Sequence, residues 1–158
     1  GFNKDSIREK IASWFYDEKV SIGYDENTID RNMTVLTSPL NITFSSDDII
    51  SKEPFLVSSK KQQHIEGQYN IFVIGSTWES RNYPKEKFIQ IANELKTTTY
   101  IVWGSDDEYQ KAKWMEKQST YLKILPKDSL DILKNVISYA KLVIGNDTGP
   151  THMAWGLN

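Results

Sequence analysis

Short apolar runs in the second half of the chain are each followed directly by polar or charged residues. These residues supply hydroxyls, carboxylates, a guanidinium, an imidazole and a turn-forming glycine: Ser76, Thr77, Arg81, Asp106, Asp128, Asp147, Thr148, Gly149 and His152. If the runs are parallel strands, their carboxyl ends lie at one edge of a sheet, where ligands bind in open α/β folds. We therefore expect these residues to line one site. Their chemistry suits a phosphorylated, hydroxyl-rich ligand.

The turn from Asp147 to His152 is the most informative of these segments. It places a glycine and free backbone N–H groups at the start of a helix, which favours an anion by about 0.3–1 kcal/mol, or up to ~2 kcal/mol when partly buried. His152 lies one turn inside that helix, within reach of a diphosphate or a sugar hydroxyl. The same spacing also suits a helix capped by Asp147 or Thr148 with His152 in the core, and spacing alone favours neither interpretation.

Two further clusters carry a similar pair of interpretations. Arg81, with Ser76 and Thr77, can bind a phosphate through charge-assisted hydrogen bonds worth about 1.5–3 kcal/mol, or it can belong to a solvated loop. Asp106 stands where a carboxylate commonly accepts the hydroxyls of a ribose, or it caps the helix that follows. The ligand-binding interpretation therefore depends on whether the fold brings these clusters together.

The elements that must position these residues alternate regularly from Asn70 onward. Strands are predicted at Asn70–Gly75, Thr99–Trp103, Tyr121–Leu125 and Lys141–Gly145, and helices at Pro84–Leu95, at Asp106–Lys117, after Asp128–Ser129 and from Pro150. Strands that alternate with helices of this length favour parallel pairing through right-handed crossovers. The predicted fold class is α/β, with a Rossmann-like parallel sheet and helices on both faces.

The beginning of the chain does not continue that alternation. Ser6 and Glu9 have the spacing of a capping box at the start of a helix. We expect that helix to turn its aliphatic and aromatic side chains inward: Ile7, Ile11, Trp14 and Phe15. A second short helix is indicated over residues 29–36.

This change of pattern divides the chain into a mostly helical segment and a sheet domain. We expect residues 1–68 to be the tail of an N-terminal domain with its linker, and residues 69–158 to be the sheet domain. Both ends look interrupted, because the chain stops where a last helix should lead into another strand. The expectation is a fragment of a longer protein.

Composition excludes several classes of protein. A hydrophobic share of 39% excludes a disordered chain, and 19 basic against 21 acidic residues exclude attachment to nucleic acid by charge alone. The absence of cysteine excludes disulfides, thiolate metal sites and a cysteine nucleophile. His64 and His152 are far apart in sequence, so we expect no metal site and no cofactor. No stretch of about 18 apolar residues is present, and we expect a soluble, cytoplasmic protein without a transmembrane segment.

Five sequence blocks, taken together, resemble the lipopolysaccharide heptosyltransferases of glycosyltransferase family 9, and most of all their heptosyltransferase I branch. The blocks are Gly75-Ser76-Thr77, Arg81-Asn82-Tyr83-Pro84-Lys85-Glu86, Trp103-Gly104-Ser105-Asp106, Leu125-Pro126-Lys127-Asp128-Ser129-Leu130 and Asp147-Thr148-Gly149-Pro150-Thr151-His152-Met153-Ala154. The Asp-Thr-Gly-x-x-His pattern of the last block is the most specific. The resemblance runs across nearly the whole chain.

The resemblance implies the C-terminal half of a two-domain GT-B fold, in which this domain holds the donor ADP-heptose. Ser76, Thr77 and Arg81 would then contact the phosphates, and Asp106 would hold the adenosine ribose. Asp128 would border the adenine, at a position that is often apolar in the family. The diphosphate and the sugar would be lined by the last block: Asp147, Thr148, Gly149 and His152.

The implied reaction is the inverting, metal-independent transfer of heptose from ADP-L-glycero-D-manno-heptose to the Kdo-lipid A acceptor of lipopolysaccharide. This would occur at the cytoplasmic face of the inner membrane of a Gram-negative bacterium. The general base is expected upstream of Gly1, so the chain alone is expected to bind nucleotide without catalysing transfer. The alternatives are another GT-B sugar-nucleotide enzyme, such as a UDP-sugar transferase or epimerase, and a non-catalytic nucleotide-binding domain. A preference for adenine or uracil separates the first of these from the heptosyltransferase.

Overall fold

The computed structural model describes residues 1–59, 62–76 and 78–157. The chain forms two compact units, Gly1–Lys52 and Glu53–Asn158. Among the described residues, no helix combines the length and the apolar character needed to cross a lipid bilayer.

The regular elements of the first unit are all helical, although they cover less than half of its residues. It contains a 3-10 helix at Lys10–Phe15, helix α1 at Thr28–Thr37, a 3-10 turn at Ser38–Leu40 and helix α2 at Ser46–Ile50. An isolated parallel bridge pairs Phe2 with Val20. The helix predicted over residues 29–36 is confirmed, and the Asn27 side chain caps it by accepting a hydrogen bond from the Ile29 amide at 2.8 Å.

The predicted capping box at Ser6 is wrong. Ser6 is buried, and its Oγ accepts a hydrogen bond from the Ile22 amide at 2.9 Å, so it joins two distant segments instead of capping a helix. The helix that follows is a short 3-10 helix without a side-chain cap. Its expected inward face is exposed, with Trp14 at 75% and Phe15 at 81%. The apolar spacing of this segment therefore does not mark the core face of an α-helix.

The second unit is a four-stranded parallel sheet with helices between the strands. In chain order its elements are β1 Asn70–Val73, a 3-10 turn at Glu79–Arg81, α3 Lys85–Leu95, β2 Thr99–Val102, α4 Asp106–Glu116, β3 Leu122–Ile124, α5 Leu130–Ser138, β4 Leu142–Gly145 and α6 Gly149–Leu157. The strand order is β3-β2-β1-β4, and every neighbouring pair is parallel. This confirms the predicted α/β class.

Both faces of the sheet are covered, because successive side chains of a strand point to opposite sides. On one face Phe72 packs against Phe88 of α3, with ring centroids 5.0 Å apart, and Met115 of α4 is fully buried in the same cluster. On the other face Ile71 packs in a cluster with Val136 of α5. These two apolar layers fix the sheet, and with it the loops that follow each strand.

The segment that leads into β1, residues 57–59 and 62–65, lies along α5 and is called the entry segment below. The Lys134 ammonium donates to the Val57 carbonyl at 2.9 Å, and the His64 amide donates to the side-chain oxygen of the buried Asn135 at 2.9 Å. Asn135 also donates to the Gln62 carbonyl at 3.1 Å. The entry segment is therefore bound to the sheet unit, in which residues 53–68 are included.

Candidate functional site

The candidate site follows from the strand order. The chain passes from β1 to β2 and β3 on one side, and β4 is added on the other side of β1. The loops after β1 and β4 therefore leave neighbouring strands in different directions, and such a switch point opens a crevice at the carboxyl end of a parallel sheet. The loop after β1 contains Ser76 and Arg81, and the loop after β4 contains Asp147 and Thr148.

Three charged or ionisable side chains meet at this crevice. An Asp147 carboxylate oxygen lies 2.9 Å from Nε2 of His152, and the other lies 4.0 Å from the Arg81 guanidinium. All three side chains are more than half exposed. Surface ion pairs contribute little to stability, about 0–1 kcal/mol. Asp147 therefore orients a cation and an imidazole that remain accessible to a ligand.

The Thr148 hydroxyl is the most direct sign of a missing polar partner. Its oxygen is buried and, among the described residues, makes no hydrogen bond. It borders a cavity of about 250 Å³ that is also lined by Ser76, Gly104 and Pro150. An unsatisfied buried hydroxyl costs about 1–3 kcal/mol. A polar ligand group in this cavity would remove that cost.

The start of α6 leaves space for such a group. Gly149 is the first residue of the helix and is exposed, and a Cβ placed on it would meet no heavy atom within 4 Å. The free N–H groups of a helix start attract anions. The crevice thus combines a helix terminus, the Arg81 cation and two hydroxyls, which is the chemistry that a diphosphate requires.

Glu108 is a site residue that the sequence interpretation missed. One of its carboxylate oxygens accepts hydrogen bonds from the amides of Gly104 at 2.6 Å and Ser105 at 3.4 Å. The same carboxylate lies against Gly75, where any added Cβ would collide with it. It lines the same cavity as Thr148, whereas Asp106 is exposed in the first turn of α4 and is not among the residues that line that cavity. The Ser105-x-x-Glu108 capping-box spacing was the signal available in the sequence.

A larger, mainly apolar cavity of about 480 Å³ lies beside the first one, at the ends of β2 and β3. Its lining includes Trp103, Leu125, Leu133 and, from the entry segment, His64 and Ile65. Trp103 and Leu133 line both cavities. An apolar cavity of this kind, next to a polar one, suits a flat heterocycle joined to a phosphorylated sugar.

Trp103 is held firmly between the two cavities. Its indole Nε1 donates to the Leu125 carbonyl at 2.9 Å, and its ring lies against that of Tyr109 at 4.4 Å between centroids. Asp128 is exposed where it borders the larger cavity, and its carboxylate accepts from the Ser129 amide at 2.6 Å. Ser129, through its hydroxyl, is the residue that caps α5.

The entry segment, which contributes a wall to the larger cavity, is fixed by a carboxylate on α5. Asp131 accepts hydrogen bonds from the hydroxyl and the amide of Ser59 and pairs with Lys134 at 3.0 Å. These hydrogen bonds, those of Ser59 first, lower the pKa of Asp131 from 3.8 to about 2. The ionised carboxylate is thus the form that holds the entry segment in place.

The structure divides the predicted residues between the crevice, the two cavities and the exposed surface of α4. Arg81, Asp147 and His152 meet at the crevice, and Ser76 and Thr148 line the smaller cavity beside Gly149 at the start of α6. Asp128 borders the larger cavity, and Asp106 is exposed in α4. Thr77 lies outside the described residues. Within the described part of the chain, no three His, Asp or Glu side chains are grouped so as to hold a metal ion.

Comparison with known families gives a match over the full length. The sequence model of the family described as "Glycosyltransferase family 9 (heptosyltransferase)" matches residues 1–158. The chain is 32% identical to lipopolysaccharide heptosyltransferase 1 of Campylobacter coli, with 100% of this chain and 52% of the relative covered. It is 25% identical to lipopolysaccharide heptosyltransferase 1 of Escherichia coli K12, with 100% and 50% covered. The chain thus spans about half the length of these curated relatives.

Solved structures show the same architecture. The E. coli heptosyltransferase WaaC with ADP superposes with a TM-score of 0.74 at 24% identity, over 100% of this chain and 51% of that one. WaaC with ADP-2-deoxy-2-fluoro heptose gives the same score over 99% and 50%. E. coli ADP-heptose lps heptosyltransferase II gives 0.52 at 19% identity over 74% and 37%. At these identities the likeness establishes the fold, which is shared with half of each neighbour.

Proposed function

The chain belongs to glycosyltransferase family 9, and from that membership we propose that it supplies the donor-binding half of a lipopolysaccharide heptosyltransferase. The donor is ADP-L-glycero-D-manno-heptose, and the acceptor of the whole protein is Kdo-lipid A at the cytoplasmic face of the inner membrane. The observation that carries the proposal is the meeting of Arg81, Asp147 and the start of α6 at the switch point, beside an apolar cavity large enough for a purine.

In this proposal the diphosphate lies in the crevice. Arg81 neutralises phosphate charge, and the N–H groups at Gly149 and the hydroxyls of Ser76 and Thr148 donate hydrogen bonds to phosphate oxygens. Thr77 follows Ser76 directly in the sequence and is assigned to the phosphates with it. Donors fixed in advance around the departing diphosphate stabilise the charge that develops as the bond to the sugar breaks.

The remaining parts of the donor follow from the two cavities. The adenine enters the apolar cavity between Trp103 and Leu133, with Asp128 at its border. The ribose lies between the cavities, where Glu108 is the best placed acceptor for its hydroxyls and Asp106 is a second acceptor on the solvent side. Asp147 and His152 are left to orient the heptose.

The reaction proposed for the whole protein is inverting and needs no metal ion. An acceptor hydroxyl, deprotonated by a general base, attacks the anomeric carbon of the heptose while ADP departs with the electron pair of the breaking bond. We assign the base and the acceptor site to the half of the family's length that this chain does not span. The 158-residue chain is therefore expected to bind the donor without transferring heptose.

Calorimetric titration of the 158-residue chain with ADP and with UDP tests this function. ADP should bind and UDP should bind much more weakly, because uracil fills less of the apolar cavity. Arg81→Ala should weaken ADP binding by about 10- to 100-fold, which corresponds to one lost hydrogen bond to a charged group. Arg8→Ala, which removes an exposed arginine of the first unit, is the control. No binding of ADP, or equal binding of ADP and UDP, would contradict the proposal.

A further inference from the structure

Asn146 is a buried polar residue with no role in the function proposed above. It follows β4 directly, next to Asp147, and only 5% of it is exposed. Its amide nitrogen donates to the Ile74 carbonyl at 2.7 Å and to the Asn82 side-chain oxygen at 3.1 Å, and its side-chain oxygen accepts from the Tyr83 amide at 2.9 Å.

These hydrogen bonds connect the two loops that border the crevice. Ile74 stands at the start of the loop after β1, and Asn82 and Tyr83 stand at its end, directly after Arg81. Asn146 thus holds the β1 loop at both of its ends. The backbone of Asn146 is itself fixed, because the Thr151 hydroxyl of α6 donates to its carbonyl at 2.7 Å.

From this arrangement we infer that Asn146 is a positioning residue for the diphosphate. It sets the distance between Arg81 on one loop and Asp147 with the start of α6 on the other. The inference rests on the proposed function, since it assigns a diphosphate to this crevice. Asn146 itself touches no ligand: it acts by fixing the groups that do.

The side chain at this position must both donate and accept. An aspartate of the same shape keeps the acceptor for the Tyr83 amide, but it places a carboxylate oxygen against the three oxygens that accept from Asn146: the carbonyls of Ile74 and Gly75 and the Asn82 amide oxygen. Asn146→Asp therefore removes the hydrogen bonds that Asn146 donates to the β1 loop without changing the size of the side chain. The expected consequence is a β1 loop that no longer presents Arg81 towards Asp147.

The test compares two ligands that differ only in the diphosphate. ADP and adenosine compete against a fluorescent ADP analogue for the 158-residue chain and for its Asn146→Asp variant. We expect Asn146→Asp to weaken ADP by at least about tenfold, or about 1.4 kcal/mol, and to change adenosine by less than about twofold. A merely structural loss would weaken both ligands by the same factor.

Two further variants keep the test decisive. Asn93→Asp makes the same substitution on α3, where the side-chain oxygen accepts from the Ser119 hydroxyl and an aspartate can still accept, so it should leave both ligands unchanged. Asn82→Ala removes one partner of Asn146 and should weaken ADP by a smaller factor without affecting adenosine. It replaces Asn146→Asp as the measurement if that variant does not fold.

The outcomes for this inference and for the proposed function are distinct. If the unaltered chain binds neither ligand, the proposed function fails. If the unaltered chain binds ADP, and Asn146→Asp binds it equally well or loses ADP and adenosine in parallel, the positioning role is overturned and the donor site stands.

Discussion

Different kinds of interaction stabilise the two units of the chain, each taken by itself. In residues 1–52, Val20 is the only buried hydrophobic side chain, while Ser6, Ser13 and Thr37 are buried polar ones. The sheet unit instead buries apolar side chains on both faces of β1. Hydrophobic spacing therefore predicts structure in the second unit, whereas in the first it indicates an inward face that is exposed.

A polar clamp takes the place of an apolar core in the first unit. The Arg31 guanidinium donates to the Gly23 carbonyl at 2.8 Å and to the Ser6 carbonyl at 2.6 Å. It also lies over the rings of Phe2 and Tyr24, at 4.8 and 4.9 Å from their centroids. One side chain thus joins segments that are far apart in the sequence of this unit.

The largest difference in stability is expected when the same substitution, phenylalanine to alanine, is made in each unit. Phe72→Ala removes a fully buried ring from the sheet unit and should lower its free energy of unfolding by about 3–5 kcal/mol. Phe15→Ala removes a ring that is 81% exposed and should change stability by less than about 0.5 kcal/mol. Urea unfolding followed by circular dichroism measures both. Equal losses would show that the two units do not differ in this way.

The next effect tests the polar clamp. Arg31→Ala should destabilise the first unit by about 2–3 kcal/mol, because two carbonyls lose a charged donor and two rings lose a cation. Arg31→Lys should recover part of the loss, since lysine keeps the charge but not the fork of donors. Hydrogen exchange of the amides in residues 1–52 is the measurement. Arg8→Ala is the exposed control, and protection lost equally in that variant would contradict the clamp.

A third comparison uses two serines. Ser6→Ala leaves the Ile22 amide without its acceptor and should cost about 1–3 kcal/mol in the first unit. Ser129→Ala removes the N-cap of α5 and should cost about 1 kcal/mol in the second. Unfolding of both variants against the parent chain ranks them, and a larger cost at Ser129 would reverse the expected order.

The sequence predicted the sheet unit closely because its signals are local. Among the described residues, all four strands and four α-helices of the unit lie at their expected places, and no end of a predicted strand is more than about two residues from the observed one. Each predicted strand is a short, mainly apolar run that ends in a glycine or is followed by a glycine or a proline. The prediction for Ser6 was wrong because its hydrogen-bond partner, the Ile22 amide, is sixteen residues away, and no local pattern marks such a distant contact.

The residues of the candidate site likewise include some that a local sequence signal marks and some that none does. Arg81, Asp147 and His152 were found because they follow strand ends, and parallel strands end at one edge of a sheet. Asn146 was not singled out, because its partners lie 63 to 72 residues earlier in the chain and only the folded sheet brings them near. Glu108 did have a local signal, the capping box with Ser105, but the sequence interpretation chose the neighbouring Asp106. The roles of all these residues toward a ligand stay predictions.

The smallest expected effect is the pH dependence of stability that comes from two carboxylates. Asp131 joins distant segments of the second unit, and Asp48 acts within a single turn of the first. Hydrogen bonds lower the pKa of both Asp131 and Asp48 below 3.8, to about 2 for Asp131. A lowered pKa means that the ionised form stabilises the fold. The stabilisation is complete above the ordinary pKa and is lost as the pH falls through the folded value, so for Asp131 the window is about pH 4 to 2.

The segments that lose amide protection as the pH falls should differ between the two units. Protonation of Asp131 releases Ser59 and with it the entry segment, so the amide protection factors should fall in residues 62–65, at the wall of the larger cavity. Protonation of Asp48 acts only on its cap with Ser45 and should free the first turn of α2. Asp131→Asn should give the amides of the entry segment the same protection factors at pH 5 and at pH 2, while Asp107→Asn, an exposed control, should keep the pH dependence of the parent chain. If acid loosened both segments equally in every variant, the loss would be general, and Asp131 would not be what binds the entry segment to the sheet.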